Sequence, residues 1–199
     1  MERLVAFYKN LFFENRKWFR RTLIWFVTSL VAGAVVFFIR PQLLEEILRI
    51  FEEKFGPNPP LDFNLVLDIF KNNLMVSIIA TVGGLLFGIG PFLIVVTNGF
   101  LIGFVLLALI LGGEGVVETL WVLFSTLVPH GVFEIPAFLV SAALGLRLGL
   151  NWLSEEAYGR RFATLWQDFK SVWLYFPSIT LLLFIAALLE VFVSGNLSK

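Results

Sequence analysis

His130 and Glu134 stand four residues apart inside residues 117–149, a segment that is otherwise almost wholly apolar. On a helix, that spacing puts an imidazole and a carboxyl one turn apart on one face. Such a pair can pass a proton, hold a small cation, or clamp neighbouring helices through hydrogen bonds. Polar groups of this kind are costly in hydrocarbon and persist there with a partner or a task. His130 is the only histidine of the chain. A zincin-type metal site needs a second histidine, so HGxxE by itself makes no metal centre. No GxSxG context offers a serine nucleophile, and the absence of cysteine excludes thiol nucleophiles, thiolate metal sites and disulfides. We expect no catalytic residues, no metal and no cofactor.

The elements that must hold this pair are membrane spans. The 199 residues are 58% hydrophobic and 15% charged, with 23 phenylalanines and a mean hydropathy of +0.88. A soluble domain carries about a quarter charged residues. The formal net charge is zero, which gives no electrostatic case for nucleic acid. Few Met and Gln and no Cys resemble a thermophile's composition. A lead of about twenty residues, rich in Lys and Arg, precedes the first apolar run and does not fit a signal peptide.

A spanning helix needs roughly 20 apolar residues. Five segments qualify: 22–39, 72–90, 91–112, 117–149 and 172–193. The fold class is therefore all-α, a polytopic bundle forming one membrane domain over residues 1–199. Its parts are an N-terminal interfacial arm (1–21), an external amphipathic segment (41–71), a core (72–149), a cytoplasmic segment (150–171) and the last span. The second and third spans part at Gly88-Ile89-Gly90-Pro91, where glycines and a helix-start proline suit a tight turn. Asn72 and Asn73 are expected to cap the second span.

The arm holds Arg3, Lys9, Arg16, Lys17, Arg20 and Arg21, and the segment after the fourth span holds Arg160, Arg161 and Lys170. The positive-inside rule places both in the cytoplasm, with the N-terminus inside a multi-pass cell-membrane protein. Arg147 should then project into the cytoplasm, and Glu190 should reach the outer interface. Apolar stripes at helical spacing predict interfacial helices in the arm, over 43–51 and over 158–169. Trp18, Trp152, Trp166 and Trp173 fall near inner span ends, where aromatic belts form.

Pro129 and Pro136 each remove a backbone donor, and Gly131 weakens the helix between them. The fourth span is expected to kink or break there. At about 1.5 Å per residue, Asn98 and His130 both lie roughly 10–12 Å from the inner edge of a core about 30 Å thick. This predicts a buried polar cluster of Asn98, His130 and Glu134, with Thr97, Ser125, Thr126 and Ser141 within reach. Gly83, Gly84, Gly99, Gly103, Gly145 and Gly149 permit close helix packing, within the chain or between two copies. The expected partners are the lipid bilayer and, through such faces, a second copy or other membrane proteins.

The string Pro129-His130-Gly131-x-x-Glu134-Ile135-Pro136-Ala137, followed by Gly145-Leu146-x-Leu148-Gly149, resembles the signature of the stage II sporulation protein M family. Asn72-Asn73, the glycines of the second span and Asn98-Gly99-x-x-x-Gly103 fit the same pattern in order. The resemblance covers residues 70–150 and implies a five-span helical membrane protein. The sporulation member of that family looks like a scaffold assembled with cell-wall hydrolases, so the resemblance also implies a non-enzymatic scaffolding role. The alternative is a transporter or permease subunit that moves a proton, small cation or small solute past His130 and Glu134.

Overall fold

An unbroken helix, α1 (Glu2–Ile39), opens the chain. The computed structural model describes the backbone of residues 2–55, 60–112, 120, 121, 124, 125 and 128–194. The side chains of residues 2–5, 11, 51, 52, 54, 55 and 130 stand outside that description, as do residues 56–59, 113–119, 122, 123, 126, 127 and 195–199. The expectations for Thr126 and for the His130 side chain therefore lie outside the described residues.

The arm and the first span were expected as separate pieces. They are one rod, because no Gly or Pro interrupts the chain before Gly33. The arm packs on the last span instead of lying apart. The Phe7 ring lies 5.2 Å from that of Tyr175, and the Tyr8 and Ser178 hydroxyls are hydrogen-bonded.

The short amphipathic α2 (Leu43–Phe55) comes next, with Glu45 and Glu46 in its first turn. α3 (Phe63–Val82) begins nine residues before the expected second span. Its start is set by Asp62, whose carboxylate accepts the Leu65 N–H at 3.0 Å. Asn72 and Asn73 lie inside this helix instead of at its start, and the Asn72 amide donates to Asn73 Oδ1. A 3₁₀ turn, Gly83–Leu85, ends the span. Phe87 (φ 53°) and Gly88 (φ 78°) then reverse the chain in left-handed conformations. α4 (Ile89–Gly112) starts at the expected break, with Pro91 in its first turn, where its missing N–H has no helical acceptor to lose.

α5 (Val128–Leu150) carries the motif. After two 3₁₀ turns come α6 (Arg161–Trp173), α7 (Phe176–Leu189) and a π-helical turn, Glu190–Ser194. No strand occurs among the described residues. Among the described residues, five segments are long and apolar enough to cross a membrane: Phe12–Ile39, Phe63–Leu85, Ile89–Gly112, Gly131–Leu153 and Arg161–Ser194.

Two parallel pairs organise the bundle. α1 meets α4 where a Cβ on Gly99 or Gly103 would overlap the backbone at Phe26 or Leu30, and one on Gly33 the backbone at Phe100. α3 meets α5 in the same way. A Cβ on Gly84 would collide with the Gly145 carbonyl, one on Gly145 with the Ala80 carbonyl, and one on Gly149 with the Gly84 carbonyl. Backbones this close gain dispersion contacts that larger side chains would prevent. α5 is the central element and touches α1, α3, α4 and α7. Ala142, Ala143, Leu144, Leu146 and Leu148 on it are shut off from solvent.

Candidate functional site

The motif residues occupy the first half of α5. A kink or a break was expected at Pro129, Gly131 and Pro136; the helix is continuous from Val128 to Leu150 with Pro136 inside it, so there is no break over those residues. Pro129 sits at the start of the described part of that helix. Pro136 costs only the bond to Val132, one turn earlier. Among the described residues, the Cβ of an alanine at Gly131 would meet only the Ile135 side chain of its own helix, at 3.7 Å.

Depth is set by register. The Thr81 hydroxyl lies 2.9 Å from Ser77 O on its own helix and 3.1 Å from Ser141 O on α5. Two turns back along these parallel helices, Glu134 is level with Leu74, halfway along the Phe63–Leu85 span. On the other side, Val95 of α4 shares a hydrophobic cluster with Phe138 of α5, which puts Asn98 within about a turn of Glu134 in depth. Among the described contacts the two side chains are not joined. The Asn98 amide donates instead to Ile94 O on its own helix, at 2.9 Å. The Ser141 hydroxyl likewise turns back to Ala137 O at 2.8 Å. The His130 backbone belongs to α5, but its side chain lies outside the described residues.

Glu134 has an unexpected neighbour. Glu190, near the outer end of the last span, is half-buried, opens the π-helical turn after α7 and lies within electrostatic reach of Glu134. A widened π turn is a frequent mark of a functional site. No group of three or more metal-binding side chains occurs among the described residues.

At the opposite end of α5 lies a polar network that sequence reasoning missed. Arg147 turns inward instead of projecting outward. Its Nε and Nη2 reach Asp168 Oδ1 at 2.8 and 2.6 Å, and its Nη1 donates to Asn15 Oδ1 at 3.1 Å. Asn151 donates to the other Asp168 oxygen at 2.8 Å. Asn15 and Asp168 are buried. α1, α5 and α6 are thus clamped by one guanidinium, whose fork suits two acceptors at once.

This burial inverts α6. Its polar face turns inward, while Phe162 and Trp166 stay exposed, as a helix resting in a membrane interface would have them. Trp18, expected in an aromatic belt, is instead buried against Ala143 and Leu146, with Lys17 Nζ 4.6 Å from its ring centroid. The available signal was an Asn and an Asp on the polar faces of amphipathic helices, beside an Arg at a span end. Polar faces are usually solvated, so it carried little weight.

Beside the clamp opens a cleft of about 640 Å³, lined by Lys17, Arg147, Asn151, Ser154, Glu156, Arg160, Thr164, Gln167 and Asp168. The Glu156 carboxyl is held below the usual range by its own backbone N–H first, then the Ser154 hydroxyl, with Lys17 adding a smaller attraction.

Five apolar spans, a closed helical interior and amphipathic helices beside it define an integral, multi-pass helical membrane protein. The chain belongs to the stage II sporulation protein M family, whose model matches residues 22–195. Two uncharacterized proteins of Methanocaldococcus jannaschii are similar to it. MJ0793 is 27% identical over 140 residues, 70% of this chain and 76% of that protein. MJ0706 is 28% identical over 141 residues, 69% of this chain but only 59% of that protein. No solved structure matches.

Proposed function

We propose that this protein is a non-enzymatic membrane scaffold, oriented with its N-terminus in the cytoplasm, that holds or assists a complex of other membrane proteins. One observation carries the reading: the interior is closed by backbone-to-backbone contact at Gly84, Gly103 and Gly145. A bundle locked this way resists the rocking of half against half that alternating access demands. The glycine stripes are used up inside the chain, which leaves partners to meet exposed apolar faces such as those of Ile50 and Phe162. In this reading the glycine contacts set helix positions and Glu134 carries no transport step.

The test places a photo-crosslinking residue at Ile50 or Phe162. Discrete larger adducts are expected in native membranes and not in vesicles holding the purified chain alone. Glu134→Gln should leave those adducts unchanged. A permease subunit is the second reading, favoured by two carboxyls within the candidate spans, Glu134 and Glu190, both only partly open to the surroundings. Absence of adducts, together with proton-driven flux in vesicles that Glu134→Gln abolishes, would replace the scaffold with the permease.

A further inference from the structure

The cleft beside Arg147 has the chemistry of an anion site, and it does not depend on the scaffold reading. Its lining holds three cations, Lys17, Arg147 and Arg160, against two anions, Glu156 and Asp168. These charges are not equally free. Asp168 is spent on both oxygens, one on Arg147 and one on Asn151. Lys17 is close enough to act on Glu156. Arg160 is exposed and forms no ion pair among the described residues. One positive charge is therefore left over. Around it stand neutral side chains able to bond oxygens: Asn151, Ser154, Thr164 and Gln167. The first turn of α6 forms one wall and contains no acidic residue.

Location narrows the ligand. The other face of α6, with Leu165 and Phe169, lines a small apolar groove against Leu85. That face carries the exposed Phe162 and Trp166, which sets α6 at the level where a bilayer ends. Basic pockets between membrane helices at that level suit phospholipid headgroups. An excess of one charge matches the single charge of a phosphodiester, and the volume falls in the ordinary range for small-ligand sites. We propose that this cleft binds the phosphodiester of a phospholipid headgroup, with Arg160 and Lys17 as the main phosphate contacts and Arg147 and Asn151 as its fixed floor. A soluble phosphate ester shares that chemistry.

The full chain, purified in neutral detergent, would be titrated with short-chain phosphatidylglycerol, glycerol 3-phosphate and inorganic phosphate, with thermal shift and native mass spectrometry as readouts. Saturable binding of one phosphatidylglycerol per chain is expected, weakened about tenfold or more in Arg160→Gln and in Lys17→Gln. Arg160 is exposed and lies outside the clamp, so Arg160→Gln should keep the wild-type unfolding temperature without ligand; Lys17→Gln gives up a contact with the Trp18 ring, and its ligand shift is measured from its own ligand-free temperature. If glycerol 3-phosphate binds and the same variants weaken it, the site also takes a soluble ester. Wild-type binding in both variants, or no saturable binding of any of the three probes, would overturn the proposal.

Discussion

At residue scale the decisive pair is Arg147 and Asp168. Both are largely withdrawn from water, with side-chain exposures of 15% and 3%. Removing one partner strands the other charge, which typically costs about 3–5 kcal/mol. Asp168→Ala should therefore lower the unfolding temperature of the purified chain sharply. The double change Arg147→Met with Asp168→Leu should recover much of the loss, since an apolar pair leaves no stranded charge. Asp62 makes a smaller, titratable contribution. Its carboxyl is held below its usual range chiefly by the Leu65 N–H. A depressed value means the charged, capping form stabilises the folded state. That stabilisation is complete above the unfolded pKa near 3.8 and fades as pH falls through the lower folded value. Asp62→Asn still caps but does not titrate. Hydrogen exchange at residues 63–66, corrected for intrinsic rates, should speed up in acid for the wild type and stay unchanged for Asp62→Asn.

At the scale of elements, glycine has two meanings in one chain. Gly84 lies against the Gly145 carbonyl, so Gly84→Val must push α3 and α5 apart. Overpacking of this kind costs about 1–3 kcal/mol, and the variant should give less monodisperse protein on size exclusion. Among the described residues Gly131 faces only its own helix. Gly131→Ala should leave that yield unchanged or raise stability by up to about 1 kcal/mol, because alanine favours the helix. Spacing alone cannot separate the two, since both sit in apolar helices. The same limit explains the arm. Amphipathic periodicity identified a helix over residues 4–12, but whether it joins the span depends on Tyr175 and Ser178 far along the chain, which receive it.

For the whole molecule, the testable quantity is sidedness. The native chain has no cysteine, so single cysteines report cleanly. Glu155 and Glu53 are exposed and lie at opposite ends of the spans. With the basic face inside, a membrane-impermeant maleimide should label Glu53→Cys in intact cells and Glu155→Cys only after permeabilisation. The reverse pattern would invert the orientation proposed from the Lys and Arg bias.

Hydrophobicity and helix punctuation are local properties, written residue by residue along the chain. The all-α membrane class, the five spans, the turn at Gly88 and the family that the Pro129–Ala137 string points to were therefore legible along the chain. Which polar groups meet is a property of helices brought together from distant parts of the chain. It took the packed bundle to show that Asn98 turns back on Ile94 and that Asn15, Arg147 and Asp168 close on one another. Such partners lie up to 132 positions apart. Their pairing depends on helix rotation and register, which the close glycine contacts between backbones set and which no periodicity along one helix encodes.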